Sequence, residues 1–324
     1  MSKTPLVSIL IPCYNHENFL DDCLTSILAQ TYHNIELLIC DDCSPDNSFE
    51  KIKEYEARLQ DRFPRVVILE NDENLGVTKN INRMLKIAQG DYIKTLASDD
   101  ALAPEAIGEM VDFLNQNADF DVVVANGIKV GEEQHYPNFQ AVEPIYSSAP
   151  NFNSQGFFER VAHCNEISAP AAMVRMSVYE KYGFYDEQVK VEDFEYWLRI
   201  LKDRSVKFGF LDKKLVFYRV NENSMSSMTQ NKNLEKRRRL MFYSETESLY
   251  KYKDYFDKRA FAEIVLERII SARWLAVEMK FYSFNDELEQ IWKNFAFWKS
   301  LSLKKAIYFK YMFFKSSLKK HIRK

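Results

Sequence analysis

Glycine is scarce in this chain, with 8 among 324 residues, which argues against all-β and low-complexity readings. No GxGxxG and no GxxxxGK[ST] string occurs, so the backbone cradles of dinucleotide-binding and P-loop proteins are missing. A phosphate would have to be held by side chains and a metal ion instead. Cysteine is odd in number, at five, and has no framework spacing, which fits a reducing cytoplasm. Cys40 and Cys43 form a lone CxxC without the further ligands of a zinc site or a helix to open, so they read as small residues framing an acidic pair. The five histidines contain no HExxH, and no zinc site is expected. No apolar run approaches the ~18 residues of a membrane span. The opening MSKTPLVSIL is a strand pattern that meets Pro12 rather than a secretory signal.

Acidic residues are absent from one place in particular. Residues 293–324 hold ten Lys or Arg and no Asp or Glu, so with a net charge of −3 the rest of the chain carries −13. An acidic body with a basic tail points to an anionic surface as partner. Nucleic acid is not an expected partner. The composition, 46% hydrophobic and 28% charged, is that of a globular protein with room for one large domain or two ordinary ones.

What is present is an alternation of strand and helix signals. Apolar runs at 7–11, 35–40, 66–69, 92–96 and 122–125 read as strands. Helical spacing falls between them at 18–29, 46–59, 78–88 and 104–117, the last with Pro104 in its first turn. This alternation predicts an α/β fold with a mostly parallel sheet flanked by helices. Residues 132–165 read as a long loop region of the kind that often binds ligands. Apolar runs return at 171–174, 208–211 and 215–218, and a helix is expected over 194–201. From 233 the pattern is helical, with a break expected near 283–285. The expected division is 1–228 for a catalytic domain and 229–324 for a helical extension with a basic, aromatic-rich tail.

Two of the strands end in acidic pairs, IELLICDDCS and YIKTLASDDALAP. Ligands of open α/β sheets bind at the carboxyl ends of strands. Asp41 can accept an N–H from a base, or it can cap the following turn. Asp99 and Asp100 are hard oxygen ligands suited to Mg²⁺ or Mn²⁺, or caps for the helix after Pro104. Tyr14, just past the first strand, can stack on a base or pack at a loop. Lys79, in the first turn of a helix, can contact phosphate or lie on a solvated face. Asp193 opens VEDFEYWLRI, where it caps a helix or acts as a general base. Trp197 on the same segment reads as core.

Together these strings resemble glycosyltransferase family 2, inverting transferases with the GT-A fold. VSILIPCYN is similar to the family's opening strand and turn, and ELLICDDCSPDNS to its base-binding segment. NLGVTKNINRMLKIAQGDYI, LASDDALAP and VEDFEYWLRI follow in family order. The resemblance covers roughly 6–226. It implies that Pro12, Tyr14 and Asp41 contact the base, Lys79 lies near the nucleotide-sugar and Asp99 faces the ribose or sugar. It further implies that Asp100 binds the metal and Asp193 is the base of a single displacement.

Two positions depart from the family pattern. Ala97 stands where the family often has Asp, and Asn221 where it often has His. Without membrane spans, and with Ile270 where a processive synthase has Gln, a processive reading fails. The expected protein is therefore a cytoplasmic, metal-dependent glycosyltransferase, peripheral on the inner face of the membrane through 293–324. It would use a nucleotide-sugar donor and a glycan or lipid-linked acceptor. The alternative is a non-catalytic nucleotide-sugar-binding or scaffold subunit, motivated by Ala97 and Asn221. In 304–318, aromatics alternate with Lys, which suits either a membrane surface or packing on the body.

Overall fold

The structure, a computed structural model, describes residues 4–220, 233–279 and 282–294. Its first part is built as strand and helix in alternation: β1 (Val7–Cys13), α1 (Leu20–Leu28), β2 (Ile35–Asp41), α2 (Ser48–Arg62), β3 (Arg65–Glu70), α3 (Val77–Leu85) and β4 (Tyr92–Thr95). These four strands pair in parallel in the order β3-β2-β1-β4. Every residue of β2 is buried, the signature of a strand covered on both faces. Within the strand, Glu36 is tolerated because Ser8 Oγ and the Gln89 N–H donate to it and Arg65 pairs with it.

The chain continues through β5 (Ala101–Leu102), α4 (Ala106–Gln116), β6 (Val122–Gly131), β7 (Glu143–Pro144), α5 (Phe157–His163), β8 (Ala172–Arg175), α6 (Met176–Tyr182), α7 (Glu192–Leu201) and β9 (Phe208–Val220). Here the sheet becomes mixed. β8 is antiparallel to both β4 and β6, β6 runs parallel to β9, and β5 closes the order antiparallel to β9. The result is an α/β fold with one mixed sheet flanked by helices.

Several local expectations are corrected. β1 runs past Pro12 to Cys13, because its parallel pairing with β2 continues to Cys13 opposite Asp41. The apolar runs 208–211 and 215–218 are one strand, kept continuous by register shifts around Asn126. The expected loop region contains α5. Pro104 precedes α4 instead of lying in its first turn.

By contacts the chain divides into two units: 1–157, 166–187 and 203–221 form the first, and 158–165, 188–202 and 222–324 the second. The sheet belongs to the first. The second contains α7, α8 (Leu234–Lys251), α9 (Lys258–Glu278) and α10 (Tyr282–Asn294). α9 ends at Glu278 and α10 starts at Tyr282, so the break expected near 283–285 comes a few residues earlier, between these helices. Asn285 is fully buried and accepts a hydrogen bond from Arg273 Nε on α9 at 3.0 Å, which ties these two helices together. Among the described residues no helix is long and apolar enough to cross a membrane.

Gly90, which precedes β4, shows how tightly the parallel layer is set. A Cβ there would lie 2.6 Å from the Ser8 backbone nitrogen and 3.0 Å from the Leu6 carbonyl oxygen. Gly90→Ala should therefore lower unfolding stability by about 1–3 kcal/mol in urea titrations. An unchanged urea midpoint would contradict this packing.

Candidate active site

The carboxyl ends of β1, β2 and β4 lie side by side, with Cys13 opposite Asp41 and Leu10 opposite Thr95. The loops that leave these ends are stitched together by short polar side chains. Ser44 Oγ accepts the Asn15 N–H at 2.9 Å, Ser48 Oγ accepts the His16 N–H at 3.0 Å, and Asp46 accepts the Glu17 N–H at 3.0 Å. Asn15 takes a left-handed turn at φ 55°, and Tyr14 is left 45% exposed at the edge. Pro12 is half-buried just before it.

The acidic pair at the end of β2 serves two purposes. Asp41 is buried, and its oxygens accept the Ser44 N–H at 2.8 Å and the Ser44 hydroxyl at 2.6 Å. Asp42 is buried as well. It accepts from Asn71 Nδ2 at 2.7 Å and from the Leu75 and Gly76 N–H groups at 2.8 Å each. Asp42 thus folds the 71–76 loop, which Gly76 leaves at φ 86° to start α3. Lys79 is exposed on the first turn of that helix.

The second acidic pair occupies a tight turn closed by the Asp100 N–H donating to the Ala97 carbonyl at 3.0 Å. Asp99 is 8% exposed and Asp100 only 1%. Asp100 Oδ1 accepts the Arg219 backbone N–H at 2.9 Å, while Asp100 Oδ2 is buried with no hydrogen-bond partner. Burial and the Asp99 charge hold the Asp100 carboxyl well above the usual carboxylate range. Such an orphaned buried oxygen beside a second carboxylate fits a hard divalent cation. Among the described residues no group of three or more acidic, His or Cys side chains is placed to hold a metal. Two carboxylates would therefore need phosphate oxygens and water to complete the shell, as Mg²⁺ commonly does.

His16 completes this edge. Its Nδ1 lies 2.8 Å from Ser98 Oγ and its Nε2 lies 3.9 Å from Asp99 Oδ2. Pattern reading misses it, since nothing local marks a single His in a loop. It also gives no role to Arg219, which contacts Asp99 and Asp100, or to Asp22, which pairs with Arg219.

Asp193 lies in the second unit, at the start of α7. Asp193 Oδ1 accepts the Phe194 N–H at 2.7 Å and Oδ2 accepts from Asn165 Nδ2 at 3.0 Å. Ser244 Oγ of α8 accepts the Lys190 and Val191 N–H groups at 3.1 and 3.0 Å, which fixes the entry to the helix. Further along, the buried Glu195 is met by Arg199, Lys251 and Tyr252, and Trp197 is core. Glu192 and Asp193 are half-buried by area but densely surrounded. Burial raises both carboxyls, Glu192 the more because it also feels the Asp193 charge, while the Phe194 and Asn165 hydrogen bonds pull Asp193 back. Asn221 lies outside the described residues, as does the tail 293–324 apart from the backbone of 293–294.

Residues 8–183 match the sequence profile of Glycosyl transferase family 2. The putative glycosyltransferase EpsE of Bacillus subtilis (strain 168) is 29% identical over 229 residues, covering 69% of this chain and 76% of EpsE. The putative colanic acid biosynthesis glycosyl transferase WcaA of Escherichia coli (strain K12) is 29% identical over 203 residues, covering 62% and 68%. Among solved structures, S. aureus TarS in complex with UDP-GlcNAc superposes with a TM-score of 0.55 at 17% identity, covering 85% of this chain and 82% of that one. Mannosyltransferase PcManGT from Pyrobaculum calidifontis, in complex with GDP-Man and Mn²⁺, gives 0.58 at 12% identity, covering 100% and 89%. At these identities the superpositions speak for the fold. The profile spans more than half of the chain and takes in both acidic pairs, so the chain belongs to glycosyl transferase family 2, a glycosyltransferase with a GT-A-type α/β fold.

Proposed function

We propose that the chain moves one sugar from a nucleoside diphosphate donor to a hydroxyl of a glycan or lipid-linked acceptor, with inversion, in surface polysaccharide synthesis. The observation that carries this reading is the buried Asp99–Asp100 turn at the strand edge, with Asp100 Oδ2 unpartnered. The exposed Tyr14 ring offers a stacking face for a base beside Pro12. Asp41 keeps lone pairs beyond its Ser44 contacts for a base N–H. Lys79 offers an exposed ammonium to phosphate, and Asp99 a carboxylate to the ribose or sugar. Asp100 would hold Mg²⁺ or Mn²⁺, which when bound neutralises charge on the departing diphosphate. The solved neighbours named with UDP-GlcNAc, and with GDP-Man and Mn²⁺, support a donor of this class.

In the chemical step the acceptor oxygen bonds to the anomeric carbon and its proton passes to Asp193. The bond from that carbon to the diphosphate oxygen breaks, and the nucleoside diphosphate leaves with the electron pair. A base acts best when its pKa lies close to the working pH, and the upward shift of Asp193 to about 6 supports that role.

Three measurements test the proposal. A panel of nucleotide-sugars with and without Mn²⁺, read by thermal shift and donor hydrolysis, should show metal-dependent stabilisation that Asp100→Ala abolishes in a folded protein. Full activity in a chelator, or no hydrolysis of any donor, would contradict it, the latter favouring a scaffold.

Asp193→Asn keeps the shape and removes the basicity, so kcat should fall ~10²–10⁴-fold with donor affinity nearly unchanged. Because the ionised form is the base, wild-type kcat/KM should drop as pH falls below about 6. A loss under about tenfold in Asp193→Asn would move the role to Glu192.

The basic tail is proposed to touch the inner face of the membrane. Removing 300–324 should weaken co-sedimentation with anionic vesicles at low salt while sparing turnover of a soluble acceptor, since each Lys or Arg contributes ~1 kcal/mol there. Equal vesicle binding by both proteins would contradict this.

A further inference from the structure

Arg219 is the penultimate residue of β9, and its side chain is fully buried. A buried guanidinium is costly unless each of its donors is met. Here they are met by three separate segments. Nε donates to the Asp99 carbonyl at 2.9 Å. Nη1 donates to the carbonyls of Gly131, Glu132 and Gln134 at 3.1, 3.0 and 2.7 Å. Nη2 pairs with Asp22 Oδ2 of α1 at 2.7 Å. The rings of Phe19 and Phe139 lie 4.9 and 5.3 Å from the guanidinium carbon. Asp22 reaches the same turn by its other oxygen, which accepts the Tyr136 N–H at 3.0 Å, and His135 Nδ1 lies 3.1 Å from Oδ2.

The backbone of the same residue completes the arrangement. The Arg219 N–H donates to Asp100 Oδ1, so one residue grips the acidic turn at both the Asp99 carbonyl and the Asp100 carboxylate. With Oδ1 occupied, Oδ2 is the oxygen left for an ion. We propose that Arg219, held by Asp22, is the positioning residue that aims Asp100 Oδ2 at the metal and makes that carboxylate a one-oxygen ligand. This rests on the reading of Asp100 as the metal's ligand. No lysine can substitute, because one ammonium has three donors and no planar fork with which to reach all three segments.

The test is Mn²⁺ binding to the full-length protein, followed by electron paramagnetic resonance in the presence of UDP and, in parallel, of GDP. Wild type, Asp100→Ala, Arg219→Lys and Asp22→Asn are compared. Glu36→Gln, which alters an equally buried charge in β2, reports what a purely structural loss does. Arg219→Lys and Asp22→Asn should weaken Mn²⁺ binding by about 10–100-fold, the range for partners that orient a ligand. They should also change the spectrum of the bound ion, while Glu36→Gln leaves both unchanged. Should Arg219→Lys fail to fold, Asp22→Asn decides, since it keeps the volume and an acceptor for Nη2. If both variants bind Mn²⁺ as wild type does while Asp100→Ala does not, the positioning role is overturned and the metal reading stands. If wild type binds no Mn²⁺ with either nucleotide, both fall.

Discussion

Two carboxylates held next to each other away from water repel. Asp99 and Asp100 are in that position, at 8% and 1% exposure, in a turn that the chain closes on itself. What makes the arrangement tolerable is cationic surroundings. Arg219 grips the turn from one side. Lys94, fully buried on β4, donates to the Thr95 carbonyl at 3.1 Å and to the Pro170 carbonyl. Burial pushes the Lys94 amine down to about 7 while the Asp100 charge pulls it back up. One carboxylate oxygen is still left over, and the proposed divalent ion would satisfy it.

The sheet supplies the rigidity this site needs. In a parallel sheet a one-residue slip would move every side chain of a strand to the other face, against a different set of packing partners. Strand ends are therefore fixed points, and the register that sets Cys13 opposite Asp41 also sets the loops that follow. Ser44, Asp46 and Ser48 then tie the two loops together instead of leaving them to solvent. In the helical unit, α8 fixes the entry to α7 through Ser244, and Asn165 fixes Asp193. Within each unit these side chains thus stand on secondary structure and are held by short polar partners.

Legibility in the sequence followed the range of the interactions. The four parallel strands were readable because their apolar runs and the helices between them are local patterns. The two acidic pairs stood out because each follows such a run. The mixed half of the sheet was not, since pairing Val124 with Ala172 and Val122 with Phe208 is a long-range matter. The single strand β9 looked like two, because the exposed Asp212, Lys213 and Lys214 interrupt its apolar pattern where β6 shifts register. Arg219 and Asp22 lie 197 positions apart, so no window of sequence could join them. Asp41 and Asp42 are adjacent in the sequence, yet one closes its own turn and the other organises the loop before α3.

The central claim is that the Asp99–Asp100 turn holds a donor's diphosphate through a divalent ion. Crystals grown with Mn²⁺ and a nucleoside diphosphate, and measured near the manganese absorption edge, test it most directly. The account predicts one strong anomalous peak, about 2.1–2.3 Å from Asp100 Oδ2 and at bonding distance from the diphosphate oxygens. A bound nucleotide with no peak at Asp100, or a peak held by other residues, would contradict it.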